Sequence, residues 1–246
     1  MGTSGFAYPE WKGVFYPEGL PNTGMLDHYA RQLPSVEINY TFRRYPAEKT
    51  LERWASQTPE GFRFTLKANQ RITHSRRLAD ADEAVSLFLD RARLLGERLG
   101  PILYQCPPNL RFDRSLIESF LTHLPPVPLA AMEFRHESWG EARDILTGHG
   151  VAWCVADTDE RVGGELGAGP FAYARLRKDE YSDEELSEWA RRIRGALEGG
   201  RDVYCYMKHE GPEGPGRALR LRELVGASAD PRQPGNRDAI IWKQGQ

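Results

Sequence analysis

The sequence predicts a (β/α)8 barrel, the TIM-barrel architecture, spanning residues 1–246 as one domain. Three observations carry that prediction. Eight strand-like runs recur along the chain, each separated from the next by a helical pattern or a loop, which implies a parallel sheet. Eight such units in about 250 residues match the length of this barrel. No Gly-rich phosphate fingerprint follows the first run, as it would in a doubly wound dinucleotide-binding sheet.

The elements follow in order. Residues 1–6 read as a very short strand entering a loop that holds Tyr8, Trp11, Phe15 and Tyr16. Apolar residues at helical spacing predict a helix over 23–33, and strict alternation predicts a strand over 36–40. A helix over 47–56 starts after Pro46, and a strand covers 62–67. A polar loop with Thr73 and His74 leads to a long helix from about Asp80 toward Leu99, stopped by Gly100-Pro101. The strand 102–106 ends at Pro107-Pro108, and Asp113 caps a helix running to Leu124. A strand beginning at Ala130 is followed by a helix over 141–147, ended by Gly148 or Gly150. Strand 151–156 ends at Asp157, and its Gly-rich connection to the next strand lacks a helical period, so an irregular link is expected there. Strand 171–177 precedes a helix from the capping box at Ser182 to about Leu197. Strand 203–207, a helix over 218–225 and a tail with Ile240, Ile241 and Trp242 tucked back complete the chain.

Composition bounds the function. Hydrophobic residues make up 40% and charged residues 28%, as in a globular protein. A net charge of -2 gives no global attraction to nucleic acid or anionic membrane, so any anion-binding surface must be local. No apolar run spans a bilayer, so no membrane partner is expected. Three widely spaced cysteines, Cys106, Cys154 and Cys205, favour a reducing cytoplasm over a disulfide framework or a zinc site. They read as small core residues on the helix-facing side. The oligomeric state is not legible.

The chemistry-bearing residues sit late in the strands. In a parallel barrel covered by helices, strands should be almost wholly apolar. Instead Glu37, Asn39, Thr65, Lys67, Gln105, Glu133, Arg135, Asp157, Arg175, Arg177 and Lys208 cluster near the strand C-termini, where active sites of this fold lie. Their neighbours Ile38, Leu66, Phe134, Ala156, Leu176 and Met207 are apolar, so the polar set is expected inside the barrel and the apolar set against the helices.

Cations outnumber carboxylates in that set, which points to a small anionic partner bearing phosphate or carboxylate. Glu37, Glu133, Lys67 and Asp157 are the candidate catalytic groups. Asn39, Gln105, Arg135, His136, Arg175, Tyr206, Lys208, His74, Trp11 and Trp139 are the candidate binding residues. Glu133 with Arg135 also fits a plain internal ion pair. No cofactor is indicated: a metal on Glu37, Glu133, Asp157 and one histidine lacks any H-x-H or H-E-x-x-H spacing. Readings left open are an acid/base enzyme, a metal-dependent phosphodiesterase acting on nucleic acid, and a non-catalytic anion or nucleotide sensor.

The ordered motifs resemble those of the domain-of-unknown-function-72 family. They are Gly2-Thr3-Ser4-Gly5-Phe6 with Tyr8 and Trp11, Phe15-Tyr16-Pro17, Val36-Glu37-Ile38-Asn39 with Thr41-Phe42, and Phe64-Thr65-Leu66-Lys67. Ile72-Thr73-His74, Gln105 with Pro107-Pro108, Glu133-Phe134-Arg135-His136 with Ser138-Trp139, Asp157, and Tyr204 through Tyr206 complete the series. The resemblance implies a TIM barrel and no particular reaction. Two departures stand out. Many members carry apolar residues before the Gly-Thr-Ser-Gly motif, so the first strand is expected to be cut short. The ending Met207-Lys208-His209-Glu210 replaces a Phe-Asn-Asn-like one, which marks Lys208 as a subgroup feature.

Overall fold

Strand-length apolar runs pair into a sheet whose two faces must both be covered, and the chain covers them differently. The computed structural model describes residues 1–126 and 128–226. Its strands are β1 (Gly2–Thr3), β2 (Ser35–Ile38), β3 (Arg63–Lys67), β4 (Leu99–Gln105), β5 (Ala130–Glu133), β6 (Ala152–Asp157), β7 (Ala172–Leu176) and β8 (Val203–Met207). All pairings are parallel, in the order β1-β8-β7-β6-β5-β4-β3-β2. A single parallel bridge between Ser4 and Glu37 links the two ends, so the barrel is nearly closed. The helices are α1 (Met25–Gln32), α2 (Glu48–Ser56), α3 (Asp82–Ala92), α4 (Arg114–Thr122), α5 (Ala142–Gly148), α6 (Asp183–Glu198) and α7 (Gly214–Val225).

Two layers of core follow from the strand alternation. Outward residues such as Phe64, Leu66, Ile102, Met132 and Leu176 pack under the helices in one continuous cluster. Inward residues Leu103, Ala131, Ala152, Cys154, Phe171, Tyr173 and Tyr206 form a second cluster that fills the barrel below its mouth. Small side chains beside tyrosines suit a narrow interior. Local signals hold where predicted. Asp113 Oδ1 accepts from the Leu116 amide, and Ser182 with Glu185 closes a capping box. The β6–β7 connection is irregular, with no helix.

Three expectations change. The helix from Asp80 toward Leu99 ends early: α3 gives way to a 3-10 turn, Arg93–Arg98, in which Gly96 takes φ 56°, a left-handed conformation that breaks the helix. Gly100-Pro101 therefore lies within β4 instead of stopping a helix. The β3–β4 register shifts between Phe64 and Leu66 at this point, which accommodates a proline that cannot donate to the ladder. The last helix starts at Gly214, four residues ahead of Ala218, with Pro215 in its first turn where its missing N–H costs nothing. Cys154 lies inside the barrel, unlike Cys106 and Cys205, because β6 turns its even-numbered residues inward. Ile240, Ile241 and Trp242 lie outside the described residues. Among the described residues no helix is long and apolar enough to cross a membrane.

Candidate active site

The mouth is organised around Arg175, the last inward-facing residue of β7, buried to 3% exposure. An isolated guanidinium there would be prohibitive, so its donors must find acceptors. Nη2 and Nε donate to Glu37 Oε1 at 2.8 and 3.2 Å. Nη1 donates to Glu133 Oε2 at 2.7 Å and to Gln105 Oε1 at 3.1 Å, and Nη2 reaches Asn39 Oδ1 at 3.5 Å. The register explains the meeting, since Gln105 sits directly beside Glu133 on β5 and Arg175 beside Tyr206 on β8. Glu37 accepts further bonds from Ser4 Oγ (2.9 Å) and Tyr173 OH (2.7 Å). Arg135, its side chain 48% exposed, covers the network from above, donating to Glu133 Oε1 (3.2 Å) and Gln105 Oε1 (3.1 Å).

These contacts set the charge states. Burial alone would raise Glu133, but Arg175, Arg135 and Lys67 overcome it and hold its pKa at about 2. Glu37 is likewise lowered: burial opposes ionisation, and Arg175, the Tyr173 hydroxyl and Arg177 outweigh it. Both glutamates are therefore ionised and fully engaged at neutral pH. Lys67 goes the other way. Burial and the repulsion of Arg175 bring it down to about 8, against the weaker pull of Glu133 and Glu37. Its ammonium lies 4.2 Å over the Phe42 ring, a cation–π contact. His74, lowered by burial and by Lys67, is edge-on to the same ring and shares a 2.9 Å hydrogen bond with Thr73 Oγ1. Arg177 completes the cationic rim, donating to Ser4 Oγ at 3.2 Å, with Glu210 3.8 Å away.

The mouth thus gathers Glu37, Asn39, Lys67, His74, Gln105, Glu133, Arg135 and Arg175 from the sequence-derived set. Others stand elsewhere. Asp157 pairs in register with Leu176 and shares its outward side, while Ala156 pairs with Arg175. Its carboxylate accepts from the Gly163 amide (2.6 Å) and Trp189 Nε1 (3.3 Å), fastening the irregular β6–β7 link to α6. The expected parity of β6 is reversed, because the strand turns its small residues inward and its acid toward the helices. Trp139 stacks on outward-facing Phe134 at 4.0 Å and donates to the Leu110 carbonyl, 1% exposed. Trp11 is wholly buried in the aromatic cluster of the first loop and donates to the Gly211 carbonyl, so it forms no substrate wall.

Tyr206 lies below the ions, hydrogen-bonded to Thr65 at 2.7 Å. His136 caps the turn Glu137–Glu141 through Ser138. Lys208 is paired with Asp179 on the rim. Glu37, Glu133 and Asp157 are not assembled as a ligand set, and no cluster of three or more potential metal ligands occurs among the described residues. Ser4, Tyr173 and Phe42 are the site residues that the sequence reading did not single out. Tyr173 was findable, since it lies two residues before Arg175 and hence on the same strand face.

A family model described as a protein of unknown function, DUF72, matches residues 1–238. The UPF0759 protein YecE of Escherichia coli K12 is 31% identical over 151 residues, 59% of this chain and 53% of YecE. The UPF0759 protein YunF of Bacillus subtilis 168 is 28% identical over 134 residues, 50% of this chain and 47% of YunF. The aligned stretches span about half the length of these curated relatives. A DUF72 family crystal structure from Thermotoga maritima superposes with a TM-score of 0.81 at 26% identity, covering 92% of this chain and 98% of that one. One from Enterococcus faecalis gives 0.72 at 17% identity, covering 84% and 95%.

Proposed function

The chain belongs to the DUF72 family, a family defined without an activity, and from the geometry of its barrel mouth we propose an enzyme that takes a small phosphate- or carboxylate-bearing substrate. One observation carries this reading. Arg175, Arg135, Lys67 and Arg177 converge on the mouth against Glu37, Glu133 and the rim carboxylate Glu210, which leaves one positive charge unspent after the internal pairs are made. Lys67 has no carboxylate partner among the described residues, and the Arg135 fork is half exposed, so both are available to an anion.

The same geometry redistributes the chemical roles. Glu37 and Glu133, ionised and saturated by Arg175, orient the cations and are poor proton carriers near neutrality. Lys67, at about 8, is tuned for proton transfer at physiological pH. Neutral His74 beside it is the partner for a proton relay. The reaction class supported is proton transfer or elimination on an anion held by Arg135 beside Lys67. A non-catalytic anion sensor is the second reading, favoured by the engagement of both carboxylates.

Thermal melting with inorganic phosphate and a panel of small organic phosphates and carboxylates tests the proposal without an assay, because a ligand that binds the native state raises the melting temperature. The wild type is expected to shift, and Arg135→Ala and Lys67→Met are expected to shift little or not at all. No shift in the wild type at millimolar anion sinks the reading. A shift with no turnover of any bound compound across pH 6–10 favours the sensor.

A further inference from the structure

Beside the mouth, outside the barrel wall, lies a cavity of ≈ 580 Å³ between the N-terminal end of α1 and the length of α2, within the size range of small-molecule sites. Phe6, Leu26, Ile38 and Trp54 line its apolar part. Phe6 and Trp54 meet edge to face, with ring centroids 6.1 Å apart, and Trp54 is held flat by stacking on Phe64. Asn22, Thr50, Arg53 and Gln57 are the polar residues of its lining. The cavity shares Asn39 with the mouth, where that side chain accepts from Arg175. Its wall also includes Gly5, next to Ser4, which bonds both Glu37 and Arg177.

We propose that this cavity receives the body of the same ligand whose anionic group sits at the mouth, and that the ligand is an aryl or heteroaryl phosphate or carboxylate. The inference rests on the anion-binding reading above and narrows it. A single molecule is the occupant, since the charged and apolar halves of the site meet at Asn39 and at Gly5. Aromatic walls favour a flat ring over a branched chain, and the polar edges suit a ring that carries hydrogen-bonding groups. Exposed Tyr40, on the cavity rim, is positioned to cover the ring.

Calorimetric titration with phenyl phosphate and inorganic phosphate tests the proposal. Phenyl phosphate is expected to bind the wild type at least about ten-fold more tightly, as burial of one ring allows. Ala47, an exposed cavity residue with extended backbone just before α2, accepts a large side chain without disturbing the core. Ala47→Trp should bring phenyl phosphate down to the affinity of inorganic phosphate and leave the latter unchanged. Thr50→Tyr, one turn along the same wall, repeats the test independently. Equal affinity of the two ligands in the wild type overturns the ring cavity and leaves the anion mouth standing. So does a ring advantage that survives both variants, since the ring then sits elsewhere. Failure of the wild type to bind either ligand overturns the anion mouth, and this inference with it.

Discussion

Arg175 and Lys67 are both cations on the inner face of the barrel, yet they carry opposite energetic burdens. Arg175 is surrounded by acceptors, so removing one of them strands charge. Glu133→Gln is expected to cost about 3–5 kcal/mol, the usual penalty for breaking a buried pair, read by denaturant unfolding. Lys67 is desolvated without a carboxylate partner among the described residues. Its folded pKa of about 8 lies below the ordinary 10.5, so the unfolded chain binds more protons between those values and stability rises with pH there. Below pH 8 the penalty is fully present. Lys67→Met should therefore raise the melting temperature at pH 7, with a gain that shrinks from pH 8 to 10.5. A variant that melts lower than wild type at pH 7 argues that the ammonium is stabilised by contacts other than Phe42. A residue that weakens its own fold at working pH fits a functional role.

At the scale of elements, strand parity decides which side chains meet. It was legible for β2 through β5 and for β7, because those strands alternate polar with apolar residues and the core accepts only one arrangement. It was not legible for β6, where Ala152, Cys154 and Ala156 on one side and Trp153 and Val155 on the other leave both faces largely apolar. The register with β7 resolves the choice and sends Asp157 outward. The consequence is testable. Asp157→Ala should destabilise the fold by about 1–3 kcal/mol through loss of the buried bonds to Gly163 and Trp189. The phosphate-induced shift should stay intact. Loss of that shift with little change in stability would return Asp157 to the site. Two tryptophans of the loops illustrate the same limit: Trp11 and Trp139 are spaced like site residues, and only packing shows their indole N–H groups satisfied by backbone carbonyls.

For the molecule as a whole, the barrel closes at one seam, where two-residue β1 meets β2 through Ser4 and Glu37. A side chain on Gly2 would place its Cβ 1.8 Å from the Ser35 carbonyl oxygen and 2.9 Å from the Tyr29 hydroxyl. Gly2→Ala is expected to destabilise by about 1–3 kcal/mol, the range for overpacking, as the seam is forced apart. An unchanged melting temperature would mean that the seam contributes little. The acid limb of stability is also a property of the whole mouth. Glu133 titrates near 2 when folded against 4.5 ordinarily, and Glu37 is shifted the same way, so the unfolded state binds more protons across that window. Stability should be level between about pH 5 and 8 and fall as the pH drops from 4.5 toward 2, with a shallower fall in Glu133→Gln.

The sequence by itself determined the barrel, its eight strands, the irregular β6–β7 link and the gathering of charge at the strand ends, because alternation, caps and breakers act over a few residues. Partnership was decided only by the tertiary structure. Which acid meets Arg175, which lysine is left without a carboxylate among the described residues, and where a cavity opens beside the mouth all depend on register and closure between strands distant in the chain. Those are the distances over which buried charge is either matched or left for a ligand.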